Sequence, residues 1–92
     1  MILAFKCVDT QALFTTGKSR RFANIKMVAE RKLTQLHAAV LLESLKAPPG
    51  NCLEALIGNR QGQHSIRVND QWRVCFVWTD EGVKDVEIVD HH

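Results

Sequence analysis

The feature that most constrains this chain is the crowding of strand signals into its last third. Two runs, HSIRVN and WRVCFVW, flank a two-residue Asp70-Gln71 connection, and a third, residues 83–89, follows Asp80-Glu81-Gly82. Such short connections predict an antiparallel meander. Alternation sends Ser65, Arg67 and Asn69 to one face and Ile66 and Val68 to the other. In the second run Arg73, Cys75 and Val77 separate from Trp72, Val74, Phe76 and Trp78. A sheet bringing Arg67 and Arg73 near the terminal Asp90, His91 and His92 has the parts to hold a phosphodiester and move protons around it.

The rest of the chain supplies what covers the sheet. Residues 2–7 read as an opening strand, ended by the turn-prone Asp9-Thr10. Residues 11–14 predict a short helix capped by Asp9 or Thr10 and broken by Gly17. From about Arg21, the residues Phe22, Ile25, Ala29, Leu33, Leu36 and Val40 recur at spacings of three and four, an amphipathic stripe. A break over residues 37–40 precedes a short second piece through Leu45, and Pro48-Pro49-Gly50 stops the helical region. Residues 52–57 predict a strand and residues 58–62 a turn. One α+β domain over residues 1–92 is expected, with helices on one face of an antiparallel sheet.

Ninety-two residues at 46% hydrophobic content can bury one core, but not a core and a deep private cleft. A substrate would therefore be held partly by a larger partner. No apolar run approaches the roughly 20 residues that span a bilayer, and MILAFKC is too short for a signal peptide. Cys7, Cys52 and Cys75 are odd in number, widely spaced and without a CxxC pair. They read as reduced thiols in a cytoplasmic protein, with no membrane partner, metal or cofactor expected. The net charge of +2 is uneven: residues 1–50 carry eight Lys/Arg against three Asp/Glu, and residues 51–92 four against seven. Lys18, Arg20, Arg21, Lys26, Arg31 and Lys32 form the basic excess, which is either a solvated helix face or a surface for nucleic-acid phosphates.

The stretch PPGNCLEALIGNRQGQHSIRVNDQWRVCFVW, the ending VEIVDHH and the order of elements resemble the HigB toxins, the killer-protein branch of the RelE superfamily. The resemblance covers essentially the whole chain and implies a small RelE-like α+β fold. It implies a ribosome-dependent endoribonuclease that cuts messenger RNA in the decoding site. It further implies neutralisation by a helix-turn-helix, HigA-like antitoxin, with operator DNA bound only through that antitoxin. On this basis the phosphate-contacting arginine falls on Arg73, and the C-terminal acidic and histidine positions on Asp90 and His92. Three positions depart from relatives: His91 where tyrosine is common, Ile57 where many carry lysine, and Glu54 where some carry histidine. The active face has thus lost a cation and gained an imidazole, so a weakly catalytic protein that acts by binding is the alternative.

Metal-free RNA cleavage needs activation of the ribose 2′-hydroxyl, stabilisation of phosphorane charge and protonation of the leaving oxygen. Histidine suits proton transfer because its ordinary pKa, about 6.5, lies near working pH. Arginine suits the charge because its planar fork donates two parallel bonds to phosphate. Arg73 is therefore assigned to the scissile phosphate, His92 to proton transfer and Asp90 to orienting His92. On a regular strand His91 points away from His92. Arg67 joins as a second phosphate contact if the hairpin register pairs it with Arg73. Arg60, His64 and the six basic residues of the N-terminal half are candidate RNA contacts. Alternatively, Arg73 pairs with Glu87 or Asp85 across the sheet. Trp72 and Trp78 read as core rather than base-stacking platforms, and His37 as structural.

Overall fold

The computed structural model describes residues 1–90. Two helices, α1 (Val8–Thr16) and α2 (Lys26–Ala38), pack on one face of a four-stranded sheet. Its strands β1 (Glu54–Ala55), β2 (His64–Arg67), β3 (Trp72–Thr79) and β4 (Gly82–Asp90) run antiparallel in sequence order. The α+β meander expected from the sequence is the observed fold. Among the described residues no helix is long and apolar enough to cross a membrane.

The core lies between the apolar stripes of the two layers. Leu13 of α1, Phe22, Ile25, and Ala29, Leu33 and Leu36 of α2 meet Ile66, Val74, Phe76, Val83, Val86 and Ile88 from the sheet. Trp72 packs edge-on against Phe22 with ring centroids 5.4 Å apart, and Trp78 also packs against the core. Both tryptophans therefore belong to the helix-covered side. Val40, placed on the stripe by spacing, lies beyond the end of α2 and is exposed.

Several boundaries differ from the sequence expectation for local reasons. Residues 2–7 form no regular strand: Ile2 and Phe5 make isolated parallel bridges to Val83 and Val86 of β4. Between those partners Asp85 adopts a left-handed φ of 54°, which breaks the extended edge such a strand would need. The β3–β4 register shifts at the same point, so that β4 contributes one extra residue, a β-bulge. Helix α1 begins at Val8, placing Asp9 inside the first turn rather than at the cap. Thr10 is fully buried, and its Oγ1 accepts a hydrogen bond from the Ile88 amide at 3.0 Å, tying α1 to the sheet. Gly17 does end the helix, at φ 72°, with its amide donating to the Leu13 carbonyl at 3.0 Å. The helix expected from Arg21 is a 3-10 turn (Ala23–Ile25) leading into α2.

Between α2 and β1 the chain makes 3-10 turns at Leu42–Lys46 and Pro49–Asn51, and the strand expected over 52–57 shrinks to β1. The β2–β3 connection is longer than two residues. The Asn69 side-chain oxygen accepts from the amides of Gln71 and Trp72, both at 2.8 Å, and closes the turn.

Candidate functional site

The face of the sheet away from the helices carries the candidate site. Across the four strands, Glu54, Ser65, Cys75 and Glu87 stand in one row of paired positions. Arg67, Arg73 and Val89 form the next row, so the hairpin register does pair the two arginines. Arg60, from a 3-10 turn (Gly58–Arg60) between β1 and β2, reaches over this face to Glu87 on β4 at 2.8 Å.

Arg73 lies at the centre and is only 7% exposed. Its Nε donates to the Ser65 hydroxyl at 2.8 Å. Its Nη2 donates to the Cys52 carbonyl at 2.7 Å and to the Ser65 carbonyl at 3.4 Å. The nearest carboxylate is Glu54, with Oε1 3.8 Å from Nε. The cross-sheet pairing with Glu87 or Asp85 considered from sequence is therefore not the one found. Glu87 is engaged by Arg60 and, at 3.9 Å, by Lys6. Asp85 sits at the bulge.

Electrostatics mark the same cluster. Hydrogen bonding to Glu87 raises the pKa of Arg60 against the opposing effect of burial, keeping the guanidinium ionised. Burial pushes the Cys75 thiol up, opposed by Arg60 and Arg73 and reinforced by Glu87 and Glu54. Arg67 pairs with Asp70 and also donates to it. Arg60 and Arg73 thus flank Cys75 together with Glu87 and Glu54, while Arg67 stands in the row beside Arg73, an arrangement of guanidiniums suited to orienting an anion.

The other predicted residues fall elsewhere. His64 stands opposite Phe76 on the helix-covered face, with ring centroids 6.2 Å apart. It is therefore separated from Arg73 by the sheet, the consequence of being one residue out of phase with Ser65. Its Nδ1 is buried and makes no hydrogen bond among the described residues. The imidazole lines a cavity of about 430 Å³ with Leu41, Leu42 and Leu53. Asp90 is exposed at the end of β4, opposite Trp72 in the register, and accepts from Gln71 Nε2 at 3.3 Å. It too is one residue out of phase with Arg73. His91 and His92, expected to supply proton transfer, lie outside the described residues. Among the described residues no cluster of His, Cys, Asp and Glu could hold a metal ion. His37 accepts from the Ile2 amide at 3.1 Å and packs at a tilt against Phe14, with ring centroids 5.3 Å apart, a structural use.

The basic residues divide. Lys18, Arg20, Arg21, Lys26 and Arg31 are exposed. Lys26 pairs with Glu30 at 2.8 Å, and Arg21 pairs with Asp9 at 3.5 Å while lying over the Phe22 ring. Lys32 is half-buried and donates to the Asn51 side chain; burial, with Arg31 nearby, lowers its pKa. Its charge is therefore used inside the fold. Sequence reasoning did not single out Ser65, Cys52 or Asn51 as parts of this site. Alternation places Ser65 on the Arg67 face, which the register joins to Arg73, but the Cys52 carbonyl is a backbone group with no residue-type signal.

Comparison with known proteins agrees with this architecture. Residues 5–92 match the family described as HigB-like toxin, the RelE-like toxin of the type II toxin-antitoxin system HigB. Toxin HigB-1 of Vibrio cholerae is 40% identical over 82 residues, covering 87% of this chain and 86% of that protein. An uncharacterized protein of Haemophilus influenzae is 32% identical over 69 residues, covering 75% of this chain and 68% of that protein. With an α+β sheet-and-helix fold of the expected order and a family match across nearly its whole length, this chain belongs to the HigB-like toxins of type II toxin-antitoxin systems.

Proposed function

We propose that this toxin is a ribosome-dependent, metal-independent endoribonuclease that cleaves messenger RNA in the decoding site. Arg73 carries the reading: it is a guanidinium anchored in mid-sheet, and its Nη1 makes no hydrogen bond to any described residue. In this role Arg73 holds the scissile phosphate, with Arg67 and Arg60 adding positive charge along the same face. His92 transfers the proton, with Asp90 and His91 beside it in sequence. The exposed Lys18, Arg20, Arg21, Lys26 and Arg31 contact ribosomal RNA, a sequence-independent, salt-sensitive attraction. A helix-turn-helix, HigA-like antitoxin is the partner that neutralises the toxin and carries the complex to operator DNA.

A second reading, growth inhibition by ribosome binding with little cleavage, is favoured by two features. Glu54 places a carboxylate beside Arg73, and Ile57, 87% exposed, presents a hydrocarbon where many relatives have a cation. Purified toxin incubated with one messenger, free or on programmed ribosomes, separates the readings. Cleavage only on ribosomes supports the nuclease. Intact messenger on ribosomes that nevertheless stop translating supports the binding protein.

A further inference from the structure

We propose that the Asn51-Cys52 corner and the Ser65 hydroxyl form a positioning frame that fixes Arg73 for its phosphate. This rests on the reading of Arg73 as the phosphate-holding residue and extends it to groups that touch no RNA.

The frame is built from three elements. On β2, fully buried Ser65 accepts from Arg73 Nε at 2.8 Å, which fixes the guanidinium plane. Before β1, the Cys52 carbonyl accepts from Nη2 at 2.7 Å, which fixes its rotation within that plane. That carbonyl is aimed by an uncommon backbone: Cys52 has φ 46° and ψ 54°, the left-handed region that a side-chain-bearing residue seldom adopts. Its surroundings hold it there. The amides of Asn51 and Cys52 donate to the Pro48 and Pro49 carbonyls at 2.9 and 3.2 Å. The fully buried Asn51 side chain donates to the carbonyls of Leu45 and Ala47 at 3.0 and 3.2 Å and to Gln35 Oε1 at 3.0 Å, while accepting from Lys32. Through Gln35 and Lys32 of α2, the helix layer thus sets the carbonyl that orients the arginine on the far side of the sheet. Both fixed bonds fall on Nε and Nη2, leaving Nη1 as the working end. The Pro-Pro-Gly-Asn-Cys segment accordingly serves the active face as well as ending the helical region.

The test uses single-turnover cleavage on programmed ribosomes, thermal melting, and exchange of the Arg73 Nε–H proton in ¹⁵N spectra of the free toxin. Loss of one buried bond partner predicts that Ser65→Ala lowers the saturating rate about 10- to 100-fold. The half-saturating ribosome concentration should stay within about threefold, because docking uses other residues. Cys52→Gly keeps the carbonyl and suits the left-handed backbone, so it should retain clearly more rate than a β-branched replacement there. Cys52→Ile, β-branched and strained there, should lose rate like Ser65→Ala. The Nε–H should exchange slowly in wild type and quickly in Ser65→Ala. A folded Ser65→Ala with wild-type rate overturns the frame, as does a folded Cys52→Ile with wild-type rate, or a wild-type Nε–H exchanging as fast as an exposed arginine's. These last two readouts stand even if Ser65→Ala does not fold. Wild-type cleavage by Arg73→Ala would instead overturn the proposed function and the frame with it, identifying which of the two has failed.

Discussion

Glu54 sits where a phosphate oxygen would have to compete with it, 3.8 Å from Arg73 Nε and half exposed to solvent. Solvent screening keeps that attraction small. Replacing it by the neutral isostere, Glu54→Gln, should therefore raise the cleavage rate about two- to fivefold, most visibly at low salt. A lower rate on programmed ribosomes would instead give the carboxylate a part in the chemistry. Cys75, 2% exposed beneath the same charges, has a second measurable consequence. Burial raises its pKa, so above the ordinary thiol value of 9.0 the unfolded chain has released a proton that the folded chain retains. Stability must then fall as pH rises through that range, and Cys75→Ala should flatten that part of a melting-temperature profile. An equally steep decline in the variant would place the effect elsewhere. Alternation puts each arginine on one face of its own strand, and the β2–β3 register makes that face a shared one. The bonds that immobilise Arg73 were not legible in this way, because a backbone carbonyl aimed by a left-handed residue leaves no periodic signal.

At the scale of elements, the apolar stripe of α2 was readable because one face of a helix must meet the sheet. Phe22, Ile25, Ala29, Leu33 and Leu36 are all buried as their spacing requires. Leu33, wholly buried in that stripe, gives the expected stability test. Leu33→Ala should destabilise the fold by about 2–5 kcal/mol, seen as a lower urea midpoint with little change in slope. A shift near zero would mean that the helix layer contributes little to the core. The opening segment departs from its sequence pattern for a physical reason. Residues 2–7 are apolar enough for a strand, but their partner edge on β4 is bent at Asp85, so pairing is reduced to two bridges. Residue type offers Asp9 or Thr10 as a cap, whereas burial against Ile88 uses the Thr10 hydroxyl as a link between layers. Phase explains the placement of His64 and Asp90. Each neighbours a residue of the arginine face and so lies on the other side of the sheet.

At the scale of the molecule, a body of 30 × 28 × 26 Å holds one core, with Arg73, Glu54, Arg60 and Glu87 gathered on the sheet face away from the helices. The positive excess of the first half is largely displayed on the surface, whereas Lys32 is turned inward to fasten Asn51. Under the proposed function this face orients a phosphate, and a ribosome presenting the codon would supply the enclosing walls. The family could be read from the sequence because its most specific stretch, residues 48–78, spans the Asn51-Cys52 corner, Ser65 and Arg73 together. Whether Arg73 holds the linkage being cut is decided by mapping messenger 5′ ends in cells expressing wild type or Arg73→Ala. New ends in frame with translation are expected for wild type and should vanish in a variant that still folds; the same ends persisting in Arg73→Ala would overturn the assignment.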